Sequence, residues 1–315
     1  MFNLIKIYFF FLNKIINYKR ICIINSPSQL ICLKEFFFSD QKNIKTLIIF
    51  GYSTNSGIIQ IKSMYKELEF NNEIIYLSDR ISEKKFQILL KFLKIFFIPK
   101  ITIIGDINYY ISKGIYKFSK KVFFLDEGIN NLIINEKKLK KNYHFFSILP
   151  LKDSKIIYEP NNYNYLKKKI GLYNIKKDLV YILGTSDSHY DVLNVNLYHQ
   201  LIKKICNKFS EKNIIFIPHR NEDSNKIKKL NITNLEILNI NYPIEYFLTK
   251  KNELPEFFLA FYSMALINLK ILLSNENTKI FNIKYDLDTL HEPNLAKLYR
   301  KYEKLFLKLK IDQID

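Results

Sequence analysis

Short runs of β-branched and aromatic residues alternate along this chain with stretches of helical length, and this alternation most constrains its fold. In the first half, Arg20 to Asn25 (RICIIN), Thr46 to Phe50, Glu73 to Leu77, Lys100 to Ile104 and Val122 to Leu125 read as strands. Ser26-Pro27 opens a helix after the first, with Pro at a first-turn position where its missing N–H costs nothing. A second helix is expected from about Ser82 to Phe97. Strands separated by ten or more residues pair in parallel, because the chain must cross back over the sheet before it can run in the same direction again.

The rhythm breaks between 150 and 177, where Pro150, Pro160 and the polar run Asn161–Asn164 read as a connection. Lys167 to Leu172 within it reads as a short helix. Beyond it the alternation restarts with strands at Val180 to Leu183, Asn213 to Ile217, Leu235 to Leu238, Phe257 to Phe261 and Lys279 to Ile283. Helices are expected from about Tyr190 to Phe209 and from about Pro293 to Lys310. The expected organisation is two doubly wound α/β halves: residues 1–155, a linker at 156–177, a second domain at 178–290 and a closing helical segment at 291–315.

With 315 residues and 48% hydrophobic content, each half is large enough for its own core. The 7 Gly and 8 Pro exclude collagen-like and linker-rich architectures. No window supplies the roughly 20 apolar residues of a spanning helix. Residues 1–19 are apolar with Lys6 and Lys14 interspersed, which fits either an amphipathic helix on a membrane face or a buried first helix. The three cysteines, Cys22, Cys32 and Cys206, form no CxxC pair and suit buried thiols in a reducing compartment.

The formal charge of +19 comes from 49 Lys+Arg against 30 Asp+Glu spread over nearly every segment. Neither an RNP-like nor a helix-turn-helix signature accompanies it, so nucleic acid is not expected as a partner. An anionic small ligand or an acidic membrane surface makes better use of such a field.

Ligands of open α/β sheets sit outside the carboxyl ends of the strands. Asp126-Glu127-Gly128 follows the strand KVFFL, and reads either as a carboxylate presented for general-base work or as a solvated turn. His219 ends NIIFIP beside Pro218 and Arg220; it is either a donor to a phosphate or an exposed loop histidine. Ser263 in AFYSMAL precedes a helical run and is either a phosphate-binding hydroxyl or an ordinary cap. Gly184-Thr185-Ser186 has the same character. No GxGxxG, P-loop or His/Cys cluster is present, so dehydrogenase, Walker-type and His/Cys metal-centre chemistry lack their fingerprints.

The order of these signals carries more than each alone. An acid-acid-Gly, a His after a strand, Glu245 in NYPIEY and Ser263 follow one another, and Ser26-Pro27-Ser28-Gln29 follows the first strand. This order resembles the bacterial sialyltransferase and polysialyltransferase group, including lipooligosaccharide sialyltransferases, over about residues 21–273. That group has D/E-D/E-G, His-Pro and Ser-Ser motifs in the same sequence. Here the second motif reads His219-Arg220 and the third Tyr262-Ser263.

The resemblance implies a GT-B-like fold, two Rossmann-like doubly wound domains facing a central cleft. It implies an inverting, metal-independent transfer of sialic acid from CMP-sialic acid to a cell-surface glycan, capsule or lipooligosaccharide acceptor, with no cofactor beyond that donor. Asp126 would be the general base, with Glu127 as its substitute, and His219 would assist departure of the CMP phosphate. Glu245 would hold the cytidine ribose. Ser263, Gly184, Thr185, Ser186, Pro218 and Arg220 would line the donor site, and Ser26, Gln29 and Gly128 the acceptor side. Such an enzyme works in the cytoplasm, at the inner membrane face. The alternatives are a GT-B enzyme using another nucleotide sugar and a non-catalytic glycan- or polyanion-binding relative.

Overall fold

The computed structural model describes residues 17–40, 44–51, 55–76, 100–107, 109–116, 119–126, 143–149, 157–171, 173–185, 195–290 and 293–314. The chain divides into two compact units, Met1–Tyr165 and Leu166–Asp315. Among the described residues no helix is long and apolar enough to cross a membrane. The helix expected at 82–97 and most of the amino-terminal segment 1–19 lie outside the described residues.

The first unit is built on a sheet of seven parallel strands in the order β3-β2-β1-β4-β5-β6-β7. They are β1 (Arg20–Ile24), β2 (Thr46–Phe50), β3 (Glu73–Tyr76), β4 (Ile101–Ile104), β5 (Lys121–Leu125), β6 (Tyr143–Ser147) and β7 (Ile157–Pro160). Strands β1 and β2 are buried along their whole length, as a sheet covered on both faces requires. Helix α1 (Pro27–Asp40) follows β1, and its Phe36 meets Phe123 and Phe146 edge-on at 4.8 and 5.4 Å. Helices α2 (Asn55–Glu67) and α3 (Tyr110–Tyr116) complete the described layers. Arg20, buried at the start of β1, is held by Asp40 at 3.1 Å and lies over the Phe37 ring.

Strand β6 does not emerge from hydrophobic patterning, because its YHFFS places His144 and Tyr143 among the core residues and follows a lysine-rich stretch. It is nonetheless fully buried. Phe145 stacks on Phe124 at 4.8 Å inside a cluster with Ile104, Val122 and Tyr143. The stretch read as a linker at 156–177, within which the two units divide, also holds regular structure: β7, helix α4 (Asn164–Lys169) and a strand that begins at Asn174. Pro160 ends an edge strand, where its missing N–H breaks no ladder.

The second unit repeats the plan with six parallel strands in the order β10-β9-β8-β11-β12-β13. They are β8 (Asn174–Leu183), β9 (Asn213–Ile217), β10 (Leu235–Ile237), β11 (Glu253–Ala260), β12 (Lys279–Ile283) and β13 (Asp312–Ile314). Strands β8 and β11 run further toward their amino ends than their apolar runs predict, pairing from Asn174 with Glu253 to Leu183 with Ala260.

The helices of this unit are α5 (Val195–Lys208), α6 (Ser224–Lys228), α7 (Ile244–Leu248), α8 (Met264–Leu272) and α9 (Pro293–Leu309). Helix α5 buries Tyr198, Ile202, Ile205 and Cys206 at helical spacing. Helix α9 buries Ala296, Tyr299, Tyr302 and Phe306, then yields to β13, so the closing segment is a helix plus an edge strand. All three cysteines are buried, and none is in a disulfide.

Replacing Phe145 by Ala should destabilise the protein by about 3–5 kcal/mol, the usual cost of a cavity at a buried aromatic. Urea unfolding of the variant measures this, and a loss under about 1 kcal/mol would contradict the placement of β6 in the core.

Candidate functional site

Both sheets order their strands so that the chain reverses direction of growth beside the first strand of each unit, between β1 and β4 and between β8 and β11. Crevices at such switch points open at the carboxyl ends of the strands.

In the second unit three adjacent strands, β9, β8 and β11, bring Pro218-His219, Gly184-Thr185 and Ser263 to that edge. The Gly184 N–H continues the ladder to the Ile217 carbonyl at 2.8 Å. Glu222, absent from the sequence-level candidates, organises this corner. It accepts from the His219 backbone N–H at 2.9 Å and from the Tyr198 hydroxyl at 2.9 Å, while its own N–H donates to the His219 carbonyl at 2.7 Å. Gly184 makes room for it, since a Cβ there would fall 1.9 Å from Glu222 Oε2. The sequence signal that marks Glu222 is an acid three residues after a strand-end His, next to a Gly-ended strand.

His219 is half-buried, and its Nδ1 accepts from the Asn221 N–H at 3.3 Å. In the neutral ring this puts the proton on Nε2, which is then the donor. Arg220 is exposed beside it. Thr185 is buried; Ser186 lies outside the described residues.

Ser263 caps α8, its Oγ accepting from the Ala265 N–H at 3.2 Å. The residue before it, Tyr262, takes a left-handed conformation with φ 42°, unusual for an aromatic residue and a form of local strain. Its N–H donates to Asn282 Oδ1 at 2.8 Å and its hydroxyl to Glu303 at 2.9 Å, with the ring stacked on Tyr299 at 4.8 Å. Tyr262 is therefore a core residue whose hydroxyl is taken up by Glu303, and Ser263 supplies the hydroxyl at the strand end. Glu245 starts α7 and is buried, with Asn268 of α8 donating to its carboxyl. That bond ties Glu245 to the helix that Ser263 caps.

In the first unit Asp126 follows β5 and is buried. Its carboxylate accepts from the Ser147 hydroxyl, from the Ile148 N–H at 2.8 Å and from the Asn161 amide at 3.4 Å. It thus clasps the ends of β5, β6 and β7 together. Glu127 and Gly128 lie outside the described residues. Ser26 and Gln29 sit where β1 passes into α1, with the Gln29 N–H donating to Ser26 Oγ at 3.2 Å. Among the described residues no group of three or more His, Cys, Asp or Glu stands together as a metal site.

No protein-family model matches this sequence, and no curated protein is similar to it in sequence. Solved structures do match in fold. The S. aureus MnaA structure with UDP superposes with a TM-score of 0.57 at 8% identity, over 92% of this chain and 88% of that one. The Methanocaldococcus jannaschii UDP-GlcNAc 2-epimerase in complex with UDP-GlcNAc and UDP gives 0.53 at 14% identity, over 94% and 88%. The Neisseria meningitidis UDP-GlcNAc 2-epimerase bound to UDP-GlcNAc gives 0.50 at 9% identity, over 92% and 91%. These likenesses establish a GT-B-like fold of two Rossmann-like parallel-sheet domains.

Two stability measurements check this geometry. Glu222→Ala strands the Tyr198 hydroxyl and the His219 N–H, so unfolding should become easier by about 1–3 kcal/mol; an unchanged urea midpoint would contradict the brace. Burial pushes the Glu245 carboxyl up, against the opposing pull of the Asn268 amide and its own backbone N–H. A raised folded-state value means that stability is greatest below the ordinary carboxylate range, about 4.3, and falls as pH rises through the folded value. Glu245→Gln carries no such charge, so its stability relative to the parent should improve as pH rises above the ordinary carboxylate value of about 4.3. A pH-independent difference would contradict this.

Proposed function

We propose that this chain is a nucleotide-sugar-dependent glycosyltransferase that binds the nucleotide at the carboxyl edge of the second sheet. One observation carries the reading: a helix start capped by Ser263 and a His219 braced by Glu222 stand at that edge, and Asn268 of the helix that Ser263 caps holds a buried Glu245. Each suits one part of a nucleotide. The positive end of the α8 dipole and the Ser263 hydroxyl suit a phosphate. Glu245 suits a ribose, whose hydroxyls would donate to its carboxylate and favour the charged form that burial disfavours.

The reaction would be a single inverting displacement. The acceptor hydroxyl attacks the anomeric carbon, the bond from that carbon to the phosphate oxygen breaks, and the electron pair leaves with the nucleotide. His219 Nε2–H stabilises the developing negative charge, and a carboxylate takes the acceptor's proton. The donor is assigned as CMP-sialic acid from the order of the Asp126-Glu127-Gly128, His219 and Ser263 motifs, and the acceptor as a cell-surface glycan or lipooligosaccharide. The excess of Lys and Arg favours anionic donors in general.

A second reading, a GT-B enzyme acting on a UDP-sugar, is favoured by the solved structures of like fold, which hold UDP or UDP-GlcNAc. Melting temperature in the presence of CMP, UDP and ADP separates the two. CMP should raise it most, because a ligand at about 100 times its Kd adds about 2.7 kcal/mol to stability. A larger rise with UDP would transfer the assignment to the second reading, and no rise with any nucleotide would refute both. His219→Ala should then lower nucleotide release from the sugar nucleotide by about 10²-fold or more, the scale of a lost acid–base group.

A further inference from the structure

Helix α9 is the longest helix among the described residues. Ala296, Tyr299, Tyr302 and Phe306 are buried at helical spacing, which fixes the side that the helix turns outward. At about 100° per residue, Lys297, Arg300, Lys301, Lys304, Leu307 and Lys308 fall within an arc of about 120° opposite that stripe. Lys301 is half-buried and the others are exposed. Glu303, the one acid of the helix, lies outside the arc and accepts from the Tyr262 hydroxyl at 2.9 Å. Arg300 is paired with Asp288, whereas Lys297, Lys304 and Lys308 have no acidic partner among the described residues.

Lysines are spread over the whole chain, but on this arc they surround an apolar side chain. Leu307 is 73% exposed, more than any other large apolar residue among the described ones. Half-buried Leu298 and Leu305 border the arc on its other side. A single-stranded nucleic acid would need aromatic rings to stack on, and every aromatic ring of α9 is buried in the core. A bilayer needs none: its anionic phosphates lie above an apolar layer, and the helix offers cations and leucines together over a length of about 25 Å. Lysine stems lie along apolar surface while their ammonium groups reach the phosphates.

We propose that the outer face of α9 docks on an anionic lipid bilayer, with Lys297, Lys304 and Lys308 against headgroup phosphates and Leu307 set into the apolar layer beneath. The contact lies on the surface and needs no spanning helix. Salt weakens it, because the cations supply most of the attraction. With a lipooligosaccharide as acceptor, it would bring the second unit to the surface that carries the substrate. The proposal does not depend on the transferase reading.

The test is sedimentation of the full chain with vesicles of phosphatidylcholine, alone or with about 30% phosphatidylglycerol to supply the anionic charge. The parent should bind the anionic vesicles and not the neutral ones, and should lose most of its binding between about 0.1 and 0.5 M salt. Each basic residue near such a surface strengthens binding by about fivefold, so the double variant Lys304→Gln, Lys308→Gln should bind about 25-fold more weakly. Leu307→Gln should bind about tenfold more weakly. The control, Lys203→Gln with Lys204→Gln on the exposed side of α5, removes the same charge elsewhere and should change binding by less than about threefold. Melting temperatures close to the parent's show that these surface variants are folded. No binding to any vesicle, equal binding to neutral ones, or equal losses in the two double variants would overturn the proposal. Undiminished binding by the α9 double variant, with loss on removal of residues 1–16, would assign the contact to the amino-terminal segment instead. A double variant that loses an RNA oligonucleotide but keeps its vesicles would assign the arc to nucleic acid.

Discussion

Parallel pairing is the constraint on which the rest of this structure depends. Every described strand in both units runs in the same direction as its neighbours, so each strand must end at the same edge before the chain crosses back. The polar residues that stop the strands are thereby collected at one edge of each sheet. Asn25, Asp106 and Asp126 share that edge in the first unit; Gly184, His219 and Ser263 share it in the second. Nothing in the local sequence of any one of them would bring it to the others.

The edge is held by buried polar groups with many partners. Glu222 fastens the turn after β9 to α5 through Tyr198, whose ring also lies 4.9 Å from Phe261 at the end of β11. Asn268 fastens α7 to α8, and Asp126 fastens three strands. Tyr262 accepts a strained backbone because Asn282, Glu303 and Tyr299 all hold it, and this fixes where Ser263 begins its helix. The candidate chemistry in both units is thus carried by half-buried residues on rigid supports, the arrangement that positioning demands.

Much of this was legible in the sequence where physics is local. Strands β1, β2, β9 and β12 stand out as β-branched runs with Gly, Pro or polar stops, and Ser26-Pro27 announces α1. Strand β6 does not stand out, because His144 and Tyr143 are buried by their neighbours rather than by their own hydrophobicity. Strand β7 ends in Pro160, which reads as a linker until the edge position removes the need for its N–H. The hydrogen bonds of Asp126 were hidden for the same reason: Ser147 and Asn161, two of the groups that donate to it, are 21 and 35 residues away and meet it only through β6 and β7. His219 and Ser263 were visible as strand-end residues, whereas Glu222 and Asn268 become visible only once α5 and α7 are in place.

The central claim is that a nucleotide occupies the carboxyl edge of the second sheet. Backbone hydrogen exchange with and without CMP or UDP tests it most directly, because it reports the bound position amide by amide. The account predicts slowed exchange at Gly184–Thr185, His219–Glu222 and the first turn of α8 after Ser263, with the edge strands β10 and β13 unaffected. Protection confined to the first unit, or none at any of these amides under saturating nucleotide, would contradict it.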